Sequence, residues 1–151
     1  MDIKKIHKWE QAIIMFFNLD GGDLTWCGEG TKNWDAEGYS RKGNKVVIEI
    51  KVRKKYYENK LLEKYKYDKL MSLPEDVTKL YYVADPKGNY LFWLDGINMP
   101  EIQNYKIKHT TFWDTNKVNK QVYMLPENSA SIINKYDDDI INWFEYKNFR
   151  Q

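Results

Sequence analysis

Cysteine and histidine are scarce in this chain of 151 residues, which has one Cys and two His. The lone cysteine, Cys27, cannot form an internal disulfide, and one Cys with two His cannot complete a structural zinc site. Such a composition is typical of a reducing compartment, so we expect an intracellular, cytoplasmic protein. Cys27, His7 and His109 have no catalytic partner at a suitable spacing in the sequence, which favours structural roles for all three.

Long apolar runs are also missing. The first residues, MDIKKIHKWEQ, carry scattered charges, which predicts neither a signal peptide nor a membrane span. The net charge of +2 excludes a wholly basic protein. Basic residues are nevertheless concentrated between 42 and 69, whereas residues 137–139 form an acidic cluster, so we expect a local basic surface.

No stretch of the sequence resembles a linker, and the length suits one domain over residues 1–151. Helical spacing of apolar residues predicts helices over 3–18 and 58–73. Alternating or β-branched runs predict strands over 24–27, 34–41, 45–53, 79–84 and 90–94, and late extended segments within 105–112 and 120–125. A final helix is expected to begin at Ser129 and to present Ile132, Ile133, Tyr136, Ile140 and Trp143. These elements indicate the α/β class, with a mixed central sheet flanked by helices.

The strongest strand signal is VVIEIKVR, residues 46–53. Successive side chains of a strand point to opposite faces. One face therefore presents only apolar groups and is predicted to pack on the core. The other face carries an acid and a base, Glu49 and Lys51, in the middle of the strand.

A turn at 42–44 (Lys-Gly-Asn) would pair this strand with the preceding one. If the turn has three residues, Arg41 pairs with Lys45, and paired residues share a face of the sheet. A two-residue turn would send the preceding acids to the opposite face. With the three-residue turn, the charged side chains that converge on one surface are Asp35, Glu37, Glu49 and Lys51.

Carboxylates gathered in this way repel one another unless a cation lies between them. Oxygen ligands from Asp35 and Glu49, with the main-chain carbonyl of Ile50, would form an open site suited to Mg²⁺, which retains waters and accepts phosphate oxygens. Beside that metal, Lys51 could orient or deprotonate a water and stabilise the negative charge of phosphoryl transfer.

Asp35, followed on the next predicted strand by Glu49-Ile50-Lys51, between two predicted helices, resembles the PD-(D/E)XK nuclease superfamily. The resemblance implies a restriction-endonuclease-like fold with an αβββαβ core, a divalent metal (Mg²⁺ or Mn²⁺) and cleavage of DNA phosphodiesters. It implies that Asp35 and Glu49 are metal ligands and that Lys51 is catalytic. The sequence departs from the family pattern before Asp35, where residues 33–34 are Asn-Trp and a proline is common. The resemblance covers the core at residues 3–95 and leaves a C-terminal extension, 100–151, without a predicted role.

Two further residues are candidates for the same site. Glu10 lies on the apolar stripe of the first predicted helix, where a carboxylate is costly without a partner. Some members of the superfamily place an acid on this helix, so the resemblance implies an additional metal ligand; an ion pair with Lys8 or Lys45 is the alternative. Lys66 resembles the basic or amide residue that several members direct toward the scissile phosphate, and an ordinary surface lysine is the alternative.

The basic run RKKYYENK, residues 53–60, follows the proposed active strand directly. It would place Arg53, Lys54 and Lys55 where a DNA backbone passes, in addition to Lys66. The alternative for this run is a solubilising loop.

These observations predict a metal-dependent endo- or exodeoxyribonuclease that acts in repair or recombination or is encoded by a phage. DNA is the expected partner, no membrane is involved, and a homodimer is compatible with the sequence. Three alternatives remain. They are a non-catalytic nucleic-acid-binding module of the same fold, a sheet surface with ordinary cross-strand ion pairs, and a small interaction protein that uses its aromatic surface.

Overall fold

The computed structural model describes residues 2–108 and 117–137. Its helices are α1 (Ile3–Leu19) and α2 (Lys64–Met71). Its strands are β1 (Asp23–Trp26), β2 (Ala36–Tyr39), β3 (Lys45–Val52), β4 (Asn59–Glu63), β5 (Thr78–Asp85), β6 (Gly88–Trp93), β7 (Gln103–Lys108), β8 (Lys117–Pro126) and β9 (Ile132–Lys135). Neither helix in this part of the chain has the length and apolar character needed to cross a membrane.

The described strands form two sheets. Sheet A has the strand order β1-β2-β3-β5-β6-β9, in which β3 and β5 are parallel and the other pairs are antiparallel. Sheet B is antiparallel, with the order β4-β8-β7. The predicted mixed α/β sheet is confirmed.

Sheet A is covered on both faces, and β3 lies in its middle. An apolar cluster between α1 and sheet A contains Ile13, Ile14, Leu24, Ala36, Val46, Ile48 and Ile50. A second cluster joins the other face of sheet A to α2 and sheet B, and includes Val47, Leu62, Leu70, Tyr81, Val83, Phe92, Tyr123 and Leu125. Because Tyr123 and Leu125 belong to β8, the C-terminal third of the chain contributes to the core.

Helix α1 begins and ends where its sequence indicates. The Asp2 side chain accepts a hydrogen bond from the main-chain N–H of Lys5 (3.1 Å), as an N-cap does. Beyond Leu19 the chain reverses at Gly21, whose φ of +92° is a left-handed conformation that glycine adopts at little cost. The predicted helix over 3–18 is therefore confirmed.

The predicted second helix was too long. Residues 59–63 form strand β4, which pairs with β8, and α2 begins only at Lys64. The spacing of Leu61, Leu62 and Tyr65 suits a helix, but Lys60 and Leu62 alternate inward on a strand. The partner that selects the strand lies about sixty residues further along the chain, and a local pattern does not reveal it.

The predicted C-terminal helix was also wrong over the residues described. Glu127–Ser129 form a short 3₁₀ turn, and Ile132–Lys135 form β9, which pairs with β6 and is the edge strand of sheet A. Two β-branched residues next to an open sheet edge favour this pairing. Ile140, Trp143, His109 and the last part of the segment predicted at 105–112 lie outside the described residues.

The β2–β3 hairpin has the predicted type of turn in a different register. Tyr39 pairs with Lys45, and the turn residues are 41–43, with Gly43 in the left-handed conformation (φ +84°). The predicted pairing of Arg41 with Lys45 was wrong by two residues. Because side chains alternate with a period of two, an even shift leaves every side chain on its predicted face.

Candidate active site

The C-terminal half of β3 extends beyond the start of β2, and Asp35 occupies the place where β2 would continue. The Asp35 main-chain N–H donates to the carbonyl of Ile48 (3.0 Å). Its side-chain Oδ2 accepts a hydrogen bond from the main-chain N–H of Ile50 (2.7 Å). The carboxylate thus replaces the missing strand partner and is fixed beside the Glu49–Lys51 segment.

Glu49 is buried on the face of β3 that points toward α2, with 2% of its surface exposed. Its carboxylate accepts a hydrogen bond from, and forms an ion pair with, the Lys66 amine of α2. Burial raises the pKa of Glu49 to about 7, and the nearby Asp35 adds to this rise, although Lys66 opposes it. One ammonium therefore does not fully compensate the burial of this acid.

The pKa of Lys66 is affected by the two carboxylates of Glu49 and Asp35. Burial lowers its pKa, but the negative charges of Glu49 and Asp35 outweigh burial, so the net effect raises the pKa of Lys66. Lys66 therefore stays protonated and is the cation that partly neutralises the two carboxylates.

Lys51 lies in a cleft lined by Glu49, Arg53, Glu63 and Lys66. Among residues 2–108 and 117–137, no carboxylate oxygen lies within ion-pairing distance of its amine. Burial lowers the pKa of Lys51, and the positive charges of Arg53 and Lys66 lower it further. An amine in this state gives up its proton more readily than a surface lysine does.

Glu10 belongs to α1 and is another buried acid, close enough to Asp35 for the two charges to interact. It is 6% exposed, and its carboxylate accepts a hydrogen bond from Nε1 of Trp26 (3.0 Å). Burial raises the pKa of Glu10, and so does the charge of Asp35. In the described part of the chain it pairs with neither Lys8 nor Lys45, the alternative partners considered from the sequence.

The sequence did not point to two residues that border this group. Trp26 of β1 holds Glu10, and no local pattern signals that contact. His7 lies one helical turn before Glu10, stacks edge-on against Trp26 (5.1 Å between ring centroids) and approaches Glu29 (Nδ1 to Oε1, 3.4 Å). The i, i+3 spacing of His7 and Glu10 could have revealed this proximity.

Glu37 lies on the predicted face of the sheet but two residues further from the site along β3. In the observed register it is opposite Val47, and its carboxylate accepts a hydrogen bond from Trp34 Nε1 (2.9 Å) and pairs with Lys32 (3.4 Å). This is the ordinary ion-paired surface that the sequence allowed as an alternative. The two-residue shift in register moves Glu37 away from Glu49.

The basic residues after β3 divide into two groups. Arg53 is partly buried and lines the cleft beside Lys51. Lys54 and Lys55 are exposed in the loop that leads to β4. The cleft thus opens toward a positively charged loop.

The donor set suits one hard cation held mainly by two acids. In the described ranges, no three His, Cys, Asp or Glu side chains are grouped as a metal site. Asp35 and Glu49 each have one carboxylate oxygen in a protein hydrogen bond, which leaves a second oxygen on each. Two carboxylate oxygens and waters fit Mg²⁺, which commonly binds one or two carboxylates and keeps several waters.

A mixed central sheet with α1 packed on one face is the architecture of the restriction-endonuclease-like fold. Among solved structures, the chain is similar to Hjc of Archaeoglobus fulgidus, a Holliday junction resolvase from an archaeal hyperthermophile. The two are 11% identical with a TM-score of 0.57, and the match covers 88% of this chain and 93% of Hjc. The likeness shows that this chain shares the restriction-endonuclease-like fold of Hjc. No protein-family model and no curated protein sequence matches the chain.

Proposed function

We propose that this chain is a divalent-metal-dependent nuclease that hydrolyses DNA phosphodiester bonds and uses Mg²⁺ or Mn²⁺. The observation that carries the proposal is the meeting of Glu49, Lys51 and Lys66 in one cleft, with Asp35 hydrogen-bonded to the main-chain N–H of the intervening Ile50 and Lys51 outside any ion pair of the described residues. A lysine with a lowered pKa beside under-compensated carboxylates is costly for stability and useful for phosphoryl transfer. We favour an endonuclease of DNA repair or recombination that acts on branched DNA, because the fold is shared with a Holliday junction resolvase.

The metal would be held by Asp35 and Glu49 together with the carbonyl of Ile50. In a strand, the N–H and C=O of one residue point to the same side, and the Ile50 N–H points to Asp35. The Ile50 carbonyl is therefore on the side of the acids. Glu10, held by Trp26, would add a further carboxylate beside the metal. When bound, the cation would act as a Lewis acid on the phosphate.

The side chains of the chain itself supply the remaining chemistry. Lys51 positions the attacking water. Because its pKa is lowered, its amine is more readily neutral and can then accept a proton from that water. Lys66 offers its ammonium to the phosphate oxygens, and Arg53 at the cleft wall extends this positive surface. Lys54 and Lys55 contact the DNA backbone next to the cleft.

The test is cleavage of labelled four-way-junction, duplex and single-stranded DNA with Mg²⁺, Mn²⁺ or EDTA. We expect metal-dependent cleavage that Lys51→Ala reduces by about 10²-fold or more, because a positioned proton-transfer group contributes about 10²–10⁴-fold. DNA binding should be kept. Lys45→Ala, at the exposed start of the same strand, is the matched control and should cleave like the unchanged protein.

Two results would contradict the proposal. DNA binding without cleavage under any metal would support the non-catalytic binding module. Absence of both DNA binding and metal affinity would support the interaction protein with an aromatic surface.

A further inference from the structure

Strands β7 and β8 continue as a two-stranded ribbon beyond the end of β4. The pairing of β4 with β8 stops at Glu63 opposite Val122, whereas β7 and β8 pair from Gln103 opposite Val122 to Lys108 opposite Lys117. We call residues 103–108 and 117–121 the ribbon. In the strand order of sheet B, β7 is the edge strand.

The ribbon contains no acidic residue. On one of its faces, every side chain whose burial is described is an exposed amide or lysine, and both strands contribute to this face: Asn104, Lys106, Lys117, Asn119 and Gln121. The other face carries Tyr105, which is 47% exposed and lies opposite Lys120. Acids and bases are nearly equal in number over the whole chain (22 and 24), so an acid-free segment of this kind is a local departure from its composition.

The base of the ribbon lies at the rim of the candidate active site. The Lys120 amine is 3.5 Å from both carboxylate oxygens of Glu63. Glu63 in turn lines the same cleft as Glu49 and Lys51. The end of the ribbon that carries Lys120 therefore lies next to the cleft.

We propose that the ribbon is a DNA-binding arm that occupies a groove of the duplex next to the cleaved bond. A two-stranded β-ribbon fits the major groove, which is about 12 Å wide. Lysines on the ribbon neutralise phosphates, and Asn and Gln side chains can pair with adenine edges. The proposal rests on DNA being the substrate, and it gives the region after residue 100 a function in holding that substrate.

The test compares two charge-reversed variants by fluorescence anisotropy on a labelled duplex of about two helical turns, in EDTA and across a range of salt. Lys106→Glu/Lys117→Glu alters the ribbon. Arg41→Glu/Lys42→Glu alters the exposed turn of the β2–β3 hairpin by the same total charge and is the matched control. We expect the ribbon variant to bind at least tenfold more weakly and to lose about two from the slope of log K against log salt, since each phosphate contact contributes about 0.9. The control should bind within about threefold of the unchanged protein.

Equal weakening of the two variants, or an unchanged affinity in the ribbon variant, would overturn the arm. The neutral variant Lys106→Gln/Lys117→Gln, with an unchanged melting temperature, should show an intermediate affinity, and this excludes misfolding as the cause. The outcome is separable from that of the nuclease proposal. If the ribbon variant weakens DNA binding but the unchanged protein cleaves no DNA, the arm is supported and the nuclease proposal is contradicted. If the unchanged protein cleaves DNA and the ribbon variant binds and cleaves equally well, the nuclease proposal is supported and the arm is contradicted.

Discussion

Single ionisable residues around β3 are held in charge states that burial opposes. Within the described residues the Glu49 carboxylate is ion-paired only with Lys66, Asp35 accepts a main-chain hydrogen bond, and Glu10 accepts one from an indole. Burial raises the pKa of all three acids. The sequence predicted the identity of these residues, because an acid inside an apolar pattern is visible locally. It did not predict the Lys66–Glu49 pair, because that contact depends on how α2 lies across sheet A.

The raised pKa of Glu49 predicts how the metal-free protein responds to pH. Folding raises this pKa from the ordinary value of 4.5 to about 7, so the folded protein holds a proton that the unfolded chain has lost. The stabilisation is complete below about 4.5 and is lost as the pH rises toward 7. In EDTA, we expect the free energy of unfolding, measured by urea titration, to fall across this window by about 1–3 kcal/mol owing to this residue.

Glu49→Gln isolates this contribution, because it removes the titrating group and keeps the shape. At pH 8 the variant should be more stable than the unchanged protein and should have no cleavage activity. At pH 4.5 the two should differ little. A pH dependence that is identical in the two proteins would show that Glu49 titrates normally.

At the scale of elements, alternation and turn chemistry predicted much of the fold around the site. The faces of β3 follow from its period of two, and the Lys-Gly-Asn sequence indicates a three-residue turn, which the structure forms with residues 41–43 rather than 42–44. The exact register did not follow, because Gly43 and Asn44 can each occupy the left-handed position, and only packing against β1 and α1 chooses between them. For β4 and β9, pairing with remote strands outweighs the local spacing.

Replacement by alanine should cost different amounts of unfolding free energy at two glycines of the β1–β2–β3 meander. A Cβ at Gly38 would lie 1.8 Å from the carbonyl oxygen of Asp23 on the paired strand β1. A Cβ at Gly43 would meet no heavy atom within 4 Å, so alanine there costs only the strain of its positive φ. We expect Gly43→Ala to lose about 1 kcal/mol of unfolding free energy and Gly38→Ala about 3 kcal/mol or more.

Chemical denaturation of the two variants checks this ordering. Gly38→Ala should also weaken cleavage, because displacement of β1 moves Trp26 and with it Glu10. Equal stability losses at the two positions would mean that β1 can shift without cost.

At the scale of the whole molecule, a buried ion pair joins the two sheets. The Lys60 amine of β4 in sheet B lies 2.8 Å from Oδ2 of Asp85 in β5 of sheet A. The rings of Tyr90 and Tyr56 lie 3.9 and 4.4 Å from the same amine. This connection between sheets could not be predicted from the sequence, which gave no sign that β4 exists.

Breaking this pair from one side should be more costly than removing it altogether. Lys60→Met leaves the carboxylate of Asp85 buried without its cation, a change that typically costs about 3–5 kcal/mol. Lys60→Met/Asp85→Asn removes both charges and should recover a large part of that loss. Urea denaturation of the two variants measures the difference.

Lys64→Met is the control for this pair. It removes a lysine whose ion pair with Asp68 lies on the surface, and should leave the midpoint nearly unchanged. If the losses of unfolding free energy in Lys60→Met and in Asp85→Asn alone add up to the loss in the double variant, the two charges do not act together.

Asp35 combines two tasks in one carboxylate. It places a negative charge near Glu49 and Lys66, and it anchors the main chain at Ile50, between Glu49 and Lys51. Asp35→Ala removes the negative charge and the hydrogen bond to the Ile50 N–H at the same time, so its effect cannot be assigned to either one. Asparagine removes the charge and still gives the Ile50 N–H an oxygen to bond. The difference in residual activity between these two replacements therefore measures how much of the catalysis depends on a rigid backbone.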